Sequence, residues 1–528
     1  MTTSRTPIFP SNEDPRKSAP SEVIGVQDAK AQPKNETPAD ALSIQQFPTI
    51  ISRRLILSII AVGIMAFVGI LTETMTNVLF PILMDQFHVS TATVQWLTTG
   101  YLLMVAIVIP ISSYCNRRFT NKKTFIIAMV LCVAGLAFAS VSVNFAMLMI
   151  ARLLQGAGTG LALPLMFNIV LEQSPRKKLG LLMGFASMVC AIAPALGPTV
   201  GGVAVEFMNW HWIFAILIPF MVLAFFLGLA AVETRHPVHK LPFQYGQLTC
   251  LALAFVAFVF ALDRVGALIR ANLEGSATAS QEAWMLVILC VVCVAAMVFY
   301  VKLSARSDQP LLQLDVLRDV PFRWHLVAYV LLETVTIGMS YLITNMSQLG
   351  YGSSSLTAGL LILPGALLGA ALGPVGGALL DKFGAMRPIM VAMAVALAGL
   401  LIMLFIPGSV NIWIRIIGYI VYMCGFTMSF ANTMTAGLAN IPPTLHADGN
   451  AMFNTLQQLG GAVGTTVMAL CLSIAQAGHG TVGSDDYMQA TKQGGVWALT
   501  VVSVFVVVAT LANLRAFLNE RRHPINLD

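Results

Sequence analysis

Residues 55–79 read LILSIIAVGIMAFVGILTETMTNVL, twenty-five residues in which Glu73 is the only charge. At 1.5 Å per residue such a run forms a helix long enough to cross ~30 Å of hydrocarbon. Thirteen similar runs follow, at 92–114, 124–142, 145–171, 179–204, 210–232, 244–264, 283–303, 322–348, 355–380, 387–407, 411–439, 449–477 and 493–517. Hydrophobic residues make up 57% of the 528-residue chain and charged residues 10%, with a mean hydropathy of +0.79. Soluble domains carry roughly 25% charged residues, so a soluble enzyme is excluded. The reading is an all-α polytopic membrane protein with fourteen transmembrane helices.

Residues 1–50 are polar and hold seven prolines. They read as a disordered tail without a signal peptide, so the first span serves as the insertion signal. Orientation follows from lysine and arginine in the connections. With the N-terminus inside, 25 of the 30 basic residues fall on the cytoplasmic side and four on the other, with Arg152 alone inside a span. An even number of spans then places both termini in the cytoplasm of a cell with this protein in its plasma membrane. The net charge of +6 is explained by that placement and calls for no nucleic-acid partner. Of the eight cysteines only Cys290 and Cys293 are close in sequence, and no histidines or second pair complete a metal site. No metal or organic cofactor is expected.

A weak repeat links the halves. Leu71-Thr72-Glu73-Thr74 in span one returns as Leu331-Leu332-Glu333-Thr334 in span nine, an offset of 260 residues. Repeated six-span halves are a transporter signature. The expected organisation is a tail (1–50), a six-helix bundle (51–233), two inserted helices (234–310) and a second six-helix bundle with a short tail (311–528), the bundles being pseudo-symmetric.

Motifs spread over residues 55–515 make the sequence resemble the major facilitator superfamily, and within it the fourteen-span drug:proton antiporters. Span four reads Arg152-Leu-Leu-Gln155-Gly156-Ala157-Gly158, similar to the family's span-four arginine motif. Span five carries Ala193, Pro194, Gly197, Pro198, Gly201 and Gly202 in an order similar to the antiporter motif, followed by Trp210-His211-Trp212. The stretch from Gly377 to Arg387, with Asp381, Lys382 and Gly384, resembles the superfamily's cytoplasmic loop motif, and Asn450 to Gly464 resembles the fourteen-span group. Two departures stand out. Ser113, Arg117 and Thr120 occupy the places of glycine, aspartate and glycine after span two, and the acid of span one stands at Glu73 where many members have it at the position of Thr72. The resemblance implies a proton-coupled antiporter exporting small lipophilic, often cationic drugs by alternating access, with protons as the coupling ion.

An ionised carboxylate in hydrocarbon is expensive, and membrane acids normally face protein or water-filled space. Glu73 and Glu333 are the two acids deep within spans, six residues from the end of span one and eleven from the start of span nine, and both are read as lying near the midplane. Glu333, Thr336, Ser340 and Thr344 form one helical stripe; Glu73, Thr76 and Asn77 form another. Arg152, seven residues into span four, lies at a similar depth, with Gln155 and Thr159 on its face. Glu73, Glu333 and Arg152 are therefore the proton-coupling candidates, against the plainer reading of structural anchors and a static Glu73–Arg152 ion pair. Asn77, Tyr101, Gln155, Asn168, Tyr341 and Asn345 are candidates for the substrate cavity. Ala193, Gly197 and Gly201 recur every four residues and make a groove for close helix approach, while Pro194 and Pro198 bend the span.

The histidines are read as lying at interfaces or loops without spaced partners, which leaves no enzymatic constellation. No glycine-rich, lysine-ending nucleotide loop appears, against an ATP-driven pump. Two alternatives stay open: an exporter of one metabolite, peptide or lipid, and a non-transporting sensor or channel. A monomer is expected.

Overall fold

The computed structural model describes residues 51–175, 179–233, 243–273, 278–307, 310–405, 412–442 and 445–522. The expected tail 1–50 and the basic residues Arg176, Lys177, Lys178, Arg235 and Lys240 lie outside them, as do the Ser113, Arg117 and Asp381 side chains. Fourteen long helices match the fourteen spans: α1 (Arg53–Phe87), α2 (Trp96–Arg118), α3 (Asn121–Ser140), α4 (Phe145–Gln173), α5 (Leu179–Phe207), α6 (Trp210–Ala231), α7 (Tyr245–Leu273), α8 (Ala279–Ala305), α9 (Val320–Asn345), α10 (Ser355–Phe383), α11 (Met386–Phe405), α12 (Ile412–Ala439), α13 (His446–Gln476) and α14 (Asp485–Arg522). Thirteen are long and apolar enough to cross a membrane; in α5 the described apolar part, Ile192–Phe207, is shorter.

Helix starts are set by the residues just before the apolar runs. Ser52, Thr120, Asn144 and Ser354 accept backbone N–H bonds at the first turns of α1, α3, α4 and α10, at 3.1, 3.3, 2.8 and 3.2 Å. Asp319 does the same for α9 at 2.6 Å. α1 and α14 run to 35 and 38 residues, well past the apolar runs. Their polar ends remain helical because hydropathy marks only the buried middle of a span, while backbone bonding continues beyond it.

Odd-numbered helices run from one end of the bundle, called proximal here, to the distal end, and even-numbered helices return. Packing repeats with a step of eight helices. α1 packs on α4, α5 and α6 as α9 packs on α12, α13 and α14; α2 on α4 as α10 on α12; α3 on α4 and α6 as α11 on α12 and α14. The two sets meet through α2–α13, α5–α10 and α1–α9, the first two related by the same pseudo-symmetry. α7 and α8 pack chiefly on each other, with α7 against α2 and α13. In the most apolar window of α8 only 11% is buried, against 78% in α9, so α8 is a peripheral helix and α9 a central one.

The repeat is visible at single residues. A Cβ on Gly197 would overlap the Thr74 hydroxyl, and one on Gly464 would overlap the Thr334 carbonyl. Glycine at these two places lets α5 and α13 close onto α1 and α9 at the matching threonines of the two LxET segments. Without water to drive helix association in lipid, such backbone approach supplies the packing contacts.

Polar bridges between the sets lie in the distal half. Thr99 and Thr465 share a 2.9 Å hydroxyl contact. Thr91 donates to Gln476 at 3.1 Å, Thr199 to the Gly359 carbonyl at 3.2 Å, and Gln348 to the Val78 carbonyl at 3.2 Å. Proximally, the bonds observed stay within one set, such as Gln173 to the Glu233 carbonyl at 3.0 Å and Asn440 to Glu520 at 2.6 Å. The bundle is fastened at its distal end.

Candidate functional site

The site at the middle of the bundle is built from α1, α2, α4, α9, α12 and α13. On α4, Arg152 is fully buried. Its Nε donates to the Leu97 carbonyl at 3.1 Å and its Nη1 to Gln155 Oε1 at 2.7 Å, while the guanidinium lies 4.3 Å from the centre of the Tyr101 ring. Tyr101 OH lies 2.8 Å from the Gly69 carbonyl and 2.9 Å from the Thr159 hydroxyl, which itself donates to the Gln155 carbonyl at 3.0 Å. Arg152 Nη2 and Gln155 Nε2 have no hydrogen-bond partner among the described residues. A buried donor left unmade costs about 1–3 kcal/mol, more when charged, so this cluster is poised to accept another group.

Glu73 lies one turn along α1 from Gly69 and keeps 5% of its surface exposed. Among the described residues it makes no hydrogen bond or ion pair; its charged neighbours are Glu333 and Arg152. The static salt bridge considered from the sequence is absent. Glu333, 7% exposed, accepts from Gln457 Nε2 at 3.2 Å, and Gln457 Oε1 accepts from Tyr329 OH at 2.9 Å. One turn further along α9, Thr336 shares a 2.6 Å contact with Tyr422 OH. Ser340 Oγ is buried without a hydrogen-bond partner among the described residues, and Thr344 donates to the Ser340 carbonyl at 2.9 Å.

The six cavity candidates separate. Tyr101 and Gln155 surround Arg152. Asn77, Tyr341 and Asn345 gather at the distal contact of α1 with α9: Asn77 Oδ1 accepts from Thr98 at 2.8 Å, Asn345 Nδ2 reaches the Asn77 carbonyl at 3.5 Å, and Tyr341 packs edge-on against Phe80. Asn168 is half-buried sixteen residues beyond Arg152, ~24 Å nearer the proximal end. Gln457, Tyr329 and Tyr422 were missed by sequence reasoning; a mid-span Gln457-Gln458 pair inside the Asn450–Gly464 stretch was the available signal for the first.

α5 uses two faces. Gly197 and Gly201 face Leu71, Thr74 and Met75 of α1, while Pro198 and Gly202 press on Gly359 and Ser355 of α10. In the loop motif, Gly384 ends α10 at φ +74°, a conformation that disfavours other residues, and its N–H bonds the Leu380 carbonyl at 2.9 Å. Lys382 lies 5.3 Å from the Phe383 ring, Gly377 has open space beside it, and Arg387 is exposed.

One expectation is corrected. His325 is fully buried in α9, with Nδ1 2.7 Å from Asn513 Oδ1 and Nε2 3.1 Å from Glu520 Oε1. Sequence reading saw no partners because they come from α14, nearly two hundred positions away.

The profile of the Major Facilitator Superfamily matches residues 62–465. The chain belongs to the Major Facilitator Superfamily. Superfamily members are transporters, not enzymes. Among relatives, the chain is 34% identical to the lincomycin resistance protein LmrB of Listeria innocua over 80% of its own length and 87% of the relative's. It is 31% identical to LmrB of Bacillus subtilis over 81% and 85%. It is 25% identical to the putative multidrug resistance protein MdtD of Escherichia fergusonii over 87% and 93%. Superfamily architecture is also seen in solved structures. A bacterial homologue of the lysosomal transporter Spinster superposes with a TM-score of 0.61 at 15% identity, over 90% of this chain and all of that one. A peptide-transporter-family protein bound to 5-aminolevulinic acid gives 0.63 at 14%, over 89% and 99%.

Proposed function

We propose that this membrane transporter is a proton-driven exporter of lipophilic, often cationic compounds, with both termini and the proximal end in the cytoplasm. The two six-helix sets, 51–233 and 311–528, are then the rocking halves, and 234–310 an appended pair. On this assignment the described state is closed to the outside. The observation that carries the reading is Glu73, a midplane acid without a bonded partner beside an arginine with an unused donor. A structural anchor is expected to be bonded, whereas a proton site must be free to change charge. Relatives named for lincomycin and multidrug resistance support the drug class and make lincomycin the first compound to test.

In the cycle, a proton from outside neutralises Glu73 and weakens its hold on bound cation, drug leaves outward, and Arg152 favours release of the proton once the site faces the cytoplasm. One pH unit supplies ~1.4 kcal/mol per proton and 100 mV ~2.3 kcal/mol per charge, enough to drive tenfold-scale accumulation per coupled charge. The test is drug-triggered proton movement in proteoliposomes. Glu73→Gln should abolish it while leaving insertion and monodispersity intact; undiminished coupling in that variant removes Glu73 from the mechanism.

A further inference from the structure

Away from the midplane, Tyr351 directly follows the last turns of α9 at the distal end. Its ring has the Arg415 guanidinium of α12 at 3.9 Å and the Lys492 ammonium of α14 at 4.9 Å from its centre. Among the described residues, Arg415 Nε and Nη1 are buried with no hydrogen-bond partner. Neither cation forms a salt bridge among the described residues, and residues 406–411 contain no acid. Two like charges brought to one ring repel each other, and a guanidinium with two orphan donors is left poorly solvated. An anion relieves both costs.

From this geometry we propose that Tyr351, Arg415 and Lys492 form a phosphate-binding site, occupied by the phosphodiester headgroup of a phospholipid in the distal leaflet. Depth argues for that source. Arg415 lies in the first turn of α12, ~5 Å from its start, and Ile417 two residues on is 52% exposed, as expected of a side chain facing lipid. That is headgroup level, where tyrosine and basic anchors concentrate and phosphate is the abundant anion. Arginine matches phosphate with paired donors and lysine adds a point charge. Bound phosphate clamps α9, α12 and α14 beside Gln348, whose bond to Val78 belongs to the distal fastening.

The experiment uses the full-length protein. After detergent delipidation, native mass spectrometry and thermal unfolding are followed while phosphatidylglycerol or inorganic phosphate is added, for the wild type, Arg415→Gln, Lys492→Gln and Tyr351→Leu. The expected result is retained phosphatidylglycerol and stabilisation in the wild type, with affinity weakened at least tenfold in both charge variants. Protection by inorganic phosphate alone, lost in the same variants, supports the phosphate chemistry and assigns a soluble source. Equal lipid retention and equal stabilisation in the wild type and in whichever charge variant unfolds cooperatively without lipid overturns the proposal.

Discussion

Arg152 is held by three different contacts, a carbonyl, an amide and a ring, and still has Nη2 to offer. Arg152→Lys preserves the charge but cannot make the planar set of contacts. Hydrogen bonds to a charged group are worth about 1.5–3 kcal/mol, so the drug-efflux rate should fall roughly ten- to a hundredfold with normal insertion. If the arginine acts through the Glu73 charge, the substitution should add nothing in a Glu73→Gln background; additive losses in that double-mutant cycle refute the coupling. Both residues were legible as charges stranded in apolar runs. Gln457 was not, because a neutral amide in a span carries little cost and only the fold brings it to 3.2 Å from Glu333. His325 was lost for a related reason: what makes it notable is Glu520 and Asn513, supplied by the last helix.

At the scale of elements, α5 packs inside its own set and also across to the other. The spacing of Ala193, Gly197 and Gly201 announced a groove, yet periodicity alone did not say that the next residues, Pro198 and Gly202, meet a different partner. The two faces predict two phenotypes. Gly197→Val intrudes on Thr74 and Leu71 within one set, and overpacking of this kind costs about 1–3 kcal/mol, read as lower thermal stability and yield. Gly202→Val presses on the α10 backbone at Ser355 and Leu356 across the distal contact. It should leave thermal stability nearly unchanged and open the distal end, so that a single cysteine at Asn345 reacts faster with a membrane-impermeant maleimide applied from outside. Equal labelling rates with and without Gly202→Val would show that this contact does not hold the distal end shut.

The whole molecule carries its acids as a repeated pair, and that has an electrical consequence. Exchange of one proton for one monovalent cation moves no net charge, so only the pH gradient drives it. If Glu333 binds a second proton, each cycle brings one net positive charge inward, and an interior-negative potential accelerates export. The asymmetry between the halves supports separate duties: Glu73 is unbonded next to Arg152, whereas Glu333 is tied to Gln457. The repeated LxET segments made the pair legible in the sequence, but not that difference, since it depends on which residue of the opposing helix faces each acid. Glu333→Gln should therefore keep export driven by a pH gradient and lose the acceleration produced by a potassium diffusion potential in proteoliposomes. Voltage dependence that survives in this variant would place the second charge elsewhere, and loss of both driving forces together would make Glu333 part of the same proton step as Glu73.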